Sequence, residues 1–307
     1  MKRKSLALAL FLSFCLVQVS CKTMKEGIGE VDKVVPLGDG NKERLTGTMD
    51  GMEGVYDAYN EDMSLNDERD VGEMLALQAY ASEGFGKPIK DERVMRFMNT
   101  MTAVIGRYSD RPLIPYFVAV IDSDKKNAFA TPGGYIFITR GAIESMNSEA
   151  ELACVIGHEI AHITERHALG TIRRTKAIAS GGKAAASAAG ANTADFDKLI
   201  RDVCKNLLNS AFDSGDELGA DTKGVSFAFA AGYDPRAMLD FIDTVEKDSA
   251  QLEGAMSSHP DAAKRRDVIK DWLKDTSEEE GGFDGLVKKT SRFDEFKKWL
   301  KNPSDKW

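Results

Sequence analysis

Three of the four histidines in this 307-residue chain fall within one short segment, HEIAHITERH. His158 and His162 are four positions apart, with Glu159 between them. On an α-helix, residues four apart leave the same face one turn from each other, so both imidazoles can reach one metal ion. Such nitrogens bind zinc at about 2.0–2.1 Å, and the metal lowers the pKa of its bound water to about 7. The pattern therefore predicts one Zn²⁺ per chain, bound by both histidines, with Glu159 as general base.

The remaining histidine of the segment, His167, is not predicted to be the third ligand. A longer zinc pattern requires a glycine at position 165 and a histidine at position 168, where this chain has Glu165 and Ala168. On a continuous helix, His167 would also lie about 140° around the axis from His162. We therefore interpret His167 as a structural or surface histidine.

The third ligand is expected in the segment SGDELGADTKG. Glu217 and Asp221 are four apart and share a helix face, so one carboxylate can bind zinc while the other accepts the distal N–H of a ligand histidine. We assign Glu217 to the metal and Asp221 to the histidine. Asp213 and Asp216 stay as alternatives, since acidic residues near a helix start are usually solvated.

Helices with a small sheet are predicted to position these residues. Apolar residues recur at helical spacing in two segments, from Ser64 onwards and again in DERVMRFMNTMTAVIGRY. Ser148 is a suitable N-cap for the helix that carries the histidines. The β-branched and aromatic runs IPYFVAVID and GYIFITR predict two strands joined by a long structured loop. A later helical run ends at Gly232. The fold class is thus α+β and predominantly helical.

The chain divides into four segments by composition. Residues 1–20 combine a basic start with a short apolar run and predict a signal peptide, followed by Cys21 as a lipidation site. Plain cleavage without lipidation is the alternative. Residues 21–63 form the lipidated N-terminus and linker, residues 64–275 the main domain, and residues 276–307 a charged, partly helical extension.

Charge and cysteine content limit the possible functions. The formal net charge is −8, and no basic stripe runs along the chain, which argues against a nucleic-acid partner. Once the signal peptide is removed and Cys21 acylated, Cys154 and Cys204 are left. They either pair in an oxidising compartment or stay as two buried thiols. The Ala/Gly/Ser-rich stretch 171–193 is either a loop or an interrupted helix.

Four stretches, in order, carry a resemblance to a known family: NAFATPGGYIFITRGAI, HEIAHITERH, DELGADTKGVSFAFAAGYDP and SHPDAAKR. The chain resembles the M48 zinc metallopeptidases, which include the CAAX prenyl proteases, and within them the exported branch without membrane-spanning helices. The resemblance implies a zincin-like (gluzincin) fold, with the small sheet beside the histidine helix. It also implies the roles given above to the metal ligands, the base and Asp221.

The resemblance further implies roles for His259 and Arg265, which match residues that stabilise the oxyanion or structure the cleft. His259 is then a donor to the oxyanion, although it can instead occupy the open metal position in a resting state or simply begin a helix before Pro260. Arg266, beside the matched arginine, departs from the usual apolar residue.

Substrate binding is predicted along the segment GGYIFIT, taken as an edge strand to which an extended peptide adds. The residues expected to bind substrate are Asn127, Ala128, Gly134 and Tyr135. Asn127 and Ala128 can equally belong to a turn that only connects strands.

The site and the resemblance together predict a zinc-dependent metalloendopeptidase of the cell envelope. We expect it in the periplasm, anchored to the membrane at Cys21, with unfolded or misassembled polypeptides as substrates. One alternative is a chaperone or assembly scaffold whose proteolysis is slight or latched, and another is a lipoprotein with a structural metal. No pattern in the sequence indicates an oligomeric state.

Overall fold

A computed structural model describes residues 63–81, 86–179, 201–205, 212–249 and 262–304. The predicted signal peptide, Cys21, nearly all of the linker and His259 lie outside these residues. The Ala/Gly/Ser-rich stretch is described only as far as residue 179.

Two helices precede most of the sheet, and both confirm the sequence prediction. Helix α1 spans Leu65–Ala81, and the Ser64 hydroxyl accepts a hydrogen bond from the amide of Asp67 at 3.2 Å. Helix α2 spans Glu92–Gly106 and is capped by Asp91. The apolar residues of α2 that recur at helical spacing form its buried face: Val94, Met98, Met101 and Ile105.

The sheet has four strands in the order β1-β2-β4-β3. Their bounds are Lys87–Pro88 for β1, Phe117–Asp122 for β2, Ala128–Thr131 for β3 and Tyr135–Thr139 for β4. β2 and β4 are parallel, whereas β1 pairs with β2 and β3 with β4 in antiparallel fashion.

Both predicted strands are confirmed, but the loop expected between them contains β3. A 3₁₀ turn at Pro132–Gly134, in which Gly133 has φ 78°, returns the chain so that β3 and β4 pair. β4 consequently lies between β2 and β3, and the prediction that GGYIFIT forms an edge strand is wrong. The edge strand next to β4 is β3, a run of residues too short to be recognised as a strand from its composition.

The central helix of the molecule carries the histidine pair. Helix α3 spans Arg140–Ser145, and helix α4 spans Glu149–Thr164. Every residue of α4 is buried, and the Ser148 hydroxyl accepts from the amide of Glu151, which confirms the predicted N-cap. A helix that is enclosed on all sides can hold ionisable side chains in fixed positions.

Five further helices follow α4 in the described part of the chain. They are α5 at His167–Ala179, α6 at Ser214–Ala230, α7 at Ala237–Ser249, α8 at Ala262–Glu280 and α9 at Ser291–Lys301, with a short helical piece at 201–205. Gly232, with φ 89°, follows the end of α6 as predicted. The molecule is therefore mostly helical with a small mixed sheet, which confirms the predicted fold class.

The C-terminal segment packs on the same core as the site helix. Phe293, Phe296 and Leu300 of α9 belong to the main hydrophobic cluster. Glu149, in the first turn of α4, accepts hydrogen bonds from Thr290 and Arg292. These contacts attach the segment after residue 276 to the start of the helix that holds the histidines.

Helices α4 and α6 touch through their backbones. A Cβ added at Gly157 would lie 2.3 Å from the carbonyl oxygen of Gly224, and one added at Gly224 would lie 2.5 Å from the amide nitrogen of His158. Only glycine permits this separation, which brings the acidic face of α6 against the histidine pair of α4.

Replacing Gly224 with alanine is expected to destabilise the metal-free protein by about 1–3 kcal/mol, since the new methyl group meets backbone atoms that cannot rotate away. Urea unfolding measures this change. The matched control is Gly219→Ala on the same helix, where the added Cβ meets no atom within 4 Å. That change is expected to stabilise the protein by about 0.5–1 kcal/mol. Equal stability of the two variants would contradict the close contact.

Candidate metal centre

Three side chains from α4 and α6 converge in the interior. The Nε2 atoms of His158 and His162 are 2.9 Å apart. The carboxylate oxygens of Glu217 lie 3.6 Å from Nε2 of His158 and 3.8 Å from Nε2 of His162. All three residues are buried, and one potential ligand atom from each lies within 4.8 Å of the others. The geometry therefore groups the three residues that were selected from the sequence.

The donor set fits a divalent cation. Two imidazole nitrogens and one carboxylate oxygen are ligands typical of zinc, and a three-residue set leaves a coordination position for water or substrate. Without a cation, the lone pairs of two imidazole nitrogens and a carboxylate oxygen would face one another in the interior. A cation removes this repulsion because it accepts all three lone pairs.

Asp221 supports His158 from the side opposite the metal position. Its Oδ1 lies 2.9 Å from Nδ1 of His158. Both oxygens of Asp221 also accept hydrogen bonds from Arg265, at 2.7 and 2.8 Å. A carboxylate at this distance fixes the proton of His158 on Nδ1 and leaves Nε2 for the metal.

The electrostatics of the group favour a positive charge at its centre. Burial disfavours the charged imidazolium, but the carboxylates of Asp221 and Glu217 raise the pKa of His158 to about 9. Burial acts in the opposite sense on Asp221, yet Arg265 holds the pKa of that carboxyl below its usual range. The negative surroundings that attract a proton to His158 also attract a metal cation.

Glu159 and Arg265 flank the three converging side chains. Glu159 is 1% exposed and adjoins His158 on α4. Burial opposes the charge of Arg265, but Asp221, Glu217 and Glu159 raise the pKa of its guanidinium, so Glu159 lies within electrostatic reach of it. The guanidinium of Arg265 donates to both oxygens of Asp221, the carboxylate that lies beside His158.

His167 lies against the centre, a contact that sequence reasoning missed. Its Nδ1 is 2.8 Å from Nδ1 of His162, and the ring of Phe212 stacks on His162 with centroids 4.4 Å apart. The estimate of 140° assumed a continuous helix, whereas α4 ends at Thr164 and Arg166 adopts φ 58°. No local pattern in the sequence signals this break.

Asp213 and Asp216, the alternatives to Glu217, lie at the start of α6 outside the converging group. Asp213 occupies the N-cap position of the helix. Asp216 directs Oδ1 towards Nε2 of His167, at 3.6 Å. Neither joins the set of His158, His162 and Glu217.

The four candidate substrate residues lie at β3, in the turn that follows it and at the start of β4. Asn127 precedes β3 and Ala128 is its first residue. The carbonyl oxygen of Asn127 accepts from the amide of Thr139 at 2.9 Å. Gly134 belongs to the 3₁₀ turn. Tyr135 is completely buried, and its hydroxyl donates to Glu73 of α1. The side chain of Tyr135 thus faces α1, on the side of the sheet away from the main core.

Cys154 and Cys204 are free, buried thiols. Cys154 belongs to the main core, and Cys204 belongs to a separate cluster with Leu75 and Leu169. Burial raises the pKa of both thiols, which keeps them protonated. Of the two sequence alternatives, the structure has the unpaired thiols.

A buried HExxH helix, a glutamate ligand candidate from a second helix and a small mixed sheet together define a metallopeptidase domain. Residues 88–273 match Peptidase family M48, and the chain belongs to that family. None of the helices in the described part of the chain is both long and apolar enough to cross a membrane.

Several curated proteins are similar to part of the chain. It is 26% identical over 205 residues to the beta-barrel assembly-enhancing protease of Yersinia pestis, covering 61% of this chain and 39% of that protein. It is 28% identical over 157 residues to the mitochondrial metalloendopeptidase OMA1 of Arabidopsis thaliana, covering 50% and 30% respectively. Metalloprotease YcaL of Escherichia coli K12 is 23% identical over 140 residues, covering 45% of this chain and 55% of YcaL. The chain thus spans about two fifths of the Yersinia protein and a smaller share of OMA1.

Proposed function

We propose that the protein is a zinc-dependent metalloendopeptidase of the cell envelope that hydrolyses peptide bonds in unfolded or misassembled proteins. The observation that carries this proposal is the convergence of His158, His162 and Glu217, with Glu159 buried next to His158 on the same helix. A site that only stabilises the fold has no use for a carboxylate next to its ligands and tends to fill all four positions.

The residues of the site divide the chemistry between them. His158, His162 and Glu217 hold the metal, and Asp221 keeps the His158 proton on Nδ1. A bound zinc ion would acidify water and polarise the scissile carbonyl. A carboxylate oxygen of Glu159 takes a proton from the attacking water and passes it to the leaving amide nitrogen. Arg265 holds Asp221 in place through its two hydrogen bonds.

Stabilisation of the oxyanion is assigned to His259. It is the only histidine outside the segment HEIAHITERH, and an imidazole N–H aimed at the developing negative charge is a suitable donor. The residue lies outside the described part of the chain, so this assignment rests on its position in the segment SHPDAAKR.

The substrate is proposed to bind along β3 as an added strand. β3 forms one edge of the sheet and contacts α4, the helix with the histidines. In an antiparallel pair of strands, successive residues direct their backbone hydrogen-bonding groups alternately towards and away from the partner strand. Asn127 faces β4, because its carbonyl accepts from the amide of Thr139. The amides of Ala128 and Ala130 therefore point away from β4. Only an extended segment can pair with such an edge, which favours unfolded polypeptides as substrates.

The location in the envelope is proposed from the N-terminal sequence. The basic and apolar run of residues 1–20 supports export to the periplasm, and Cys21 supports attachment to the membrane through a lipid. Relatives named for beta-barrel assembly support substrates among proteins that are still assembling.

Removal of the metal tests the proposal. We expect the purified protein to contain one zinc ion, to cleave unfolded casein, and to lose this activity when 1,10-phenanthroline removes the metal. Adding back zinc should restore cleavage, and a folded protein of similar size should resist it. Undiminished cleavage by metal-free protein would contradict a metallopeptidase, and bound zinc without any cleavage would favour a binding scaffold.

A further inference from the structure

We propose that His167 and Asp216 are positioning residues that fix the ring of His162 for metal binding. The inference rests on the metal site of the proposed function and adds a supporting pair on the side of His162. Both residues lie outside the group of three that can hold the ion.

The position of His162 determines where its proton must be. Its Nε2 points at the metal position, because it lies 2.9 Å from Nε2 of His158 and 3.8 Å from a carboxylate oxygen of Glu217. A metal bound at Nε2 needs the lone pair of that nitrogen, so the proton of the neutral ring is on Nδ1. That Nδ1–H then requires an acceptor, because the ring is buried.

His167 supplies the acceptor. Its Nδ1 lies 2.8 Å from Nδ1 of His162, and two hydrogen-bonded ring nitrogens cannot both carry a proton. The proton of His167 must therefore be on Nε2, which lies 3.6 Å from Oδ1 of Asp216. The sequence of contacts runs from the carboxylate of Asp216 through both rings to the metal position.

The two ligand histidines are thus supported in different ways. His158 is held directly by a carboxylate, that of Asp221, at 2.9 Å. His162 is held by a second imidazole, behind which the carboxylate of Asp216 lies. Outer contacts of this kind fix the tautomer and the orientation of a ligand ring.

The backbone conformation of Arg166 allows His167 to contact His162. Arg166 has φ 58°, a left-handed conformation that residues with a Cβ rarely adopt. The turn places His167 at the start of α5 while its ring contacts His162, at a centroid distance of 5.0 Å. Nε of Arg166 lies 3.4 Å from a carboxylate oxygen of buried Glu68, an ion pair that ties the turn to α1.

Substitutions of His167 separate a specific acceptor from general packing. His167→Leu fills the space but accepts no hydrogen bond, so we expect zinc affinity, measured by competition with a chromophoric chelator, to fall about 10–100-fold. His167→Asn keeps an acceptor oxygen near the position of Nδ1, so it should bind within a few-fold of the unaltered protein. Urea unfolding of the metal-free variants shows whether any loss reflects stability.

Three outcomes overturn this inference but leave the proposed function standing. Zinc affinity is unchanged in His167→Leu, or it falls equally in the leucine and asparagine variants, or its decrease parallels a decrease in the stability of the metal-free variants. Failure of the unaltered protein to bind zinc overturns the proposed function as well. A measurement on the unaltered protein covers the case in which the leucine variant does not fold. Long-range ¹⁵N–¹H correlation of the zinc-loaded protein should show His167 neutral and protonated on Nε2, and a proton on its Nδ1 overturns the inference.

Discussion

Replacing Glu159 with glutamine is expected to lower the rate of peptide cleavage by about 10²–10⁴-fold and to leave the bound zinc in place. Glutamine has nearly the shape of glutamate but cannot take a proton from water at neutral pH. Glu159 is buried next to His158 without belonging to the group that holds the metal. The measurement is the rate of cleavage of unfolded casein, with zinc content determined on the same samples.

A glutamate at the end of the same helix gives the matched control. Glu165 follows α4 and pairs with Lys223 at the surface, so Glu165→Gln should alter neither zinc content nor rate appreciably. If Glu159→Gln cleaves as fast as the unaltered protein, Glu159 is not the base. If it loses its zinc, the effect on rate has to be assigned to the metal site.

Replacing Arg265 with methionine is expected to destabilise the protein by about 3–5 kcal/mol, the largest effect on stability that we anticipate. Asp221 is completely buried and receives two hydrogen bonds from Arg265. Without the guanidinium, the pKa of Asp221 is no longer held down and its charge is left without its main partner. Zinc affinity should fall too, because Asp221 then orients His158 less firmly. Urea unfolding and chelator competition measure the two effects.

Two further variants show whether the pair or the packing is responsible. Arg265→Lys keeps a charge but not the two-pronged contact, so its stability should be intermediate. The double change Asp221→Leu with Arg265→Met removes both charges and should recover much of the lost stability, although not the zinc affinity. Unfolding of Arg265→Met at the same urea concentration as the unaltered protein would refute a structural role for the pair.

Local features of the chain were predictable because they depend on neighbours in sequence. The apolar spacing of α2 and the cap at Ser148 follow from the geometry of a single helix, and both are confirmed. The same holds for His158 and His162, whose shared face is a property of residues four apart. The choice of Glu217 for the metal and Asp221 for the histidine used the same spacing on a second helix, and the distances agree with it.

Features that depend on contacts between distant segments were not predictable in the same way. β3 is a run of four residues, and its strand conformation is stabilised by pairing with β4 after a turn. Such a run has too little periodicity to be distinguished from a loop, so the edge of the sheet was assigned to the wrong strand. The bonds between Arg265 and Asp221 likewise join residues that are 44 positions apart.

The sequence by itself determined the chemistry available to this protein: two histidines and a glutamate on one helix, and a pair of carboxylates on another. Helical periodicity is strong enough to specify which side chains share a face. The tertiary structure alone decided how closely those faces meet, since the contact of Gly157 with Gly224 arises from the packing of two helices. It also brought His167 to His162, because the left-handed residue Arg166 breaks the helical period on which every inference from spacing depends.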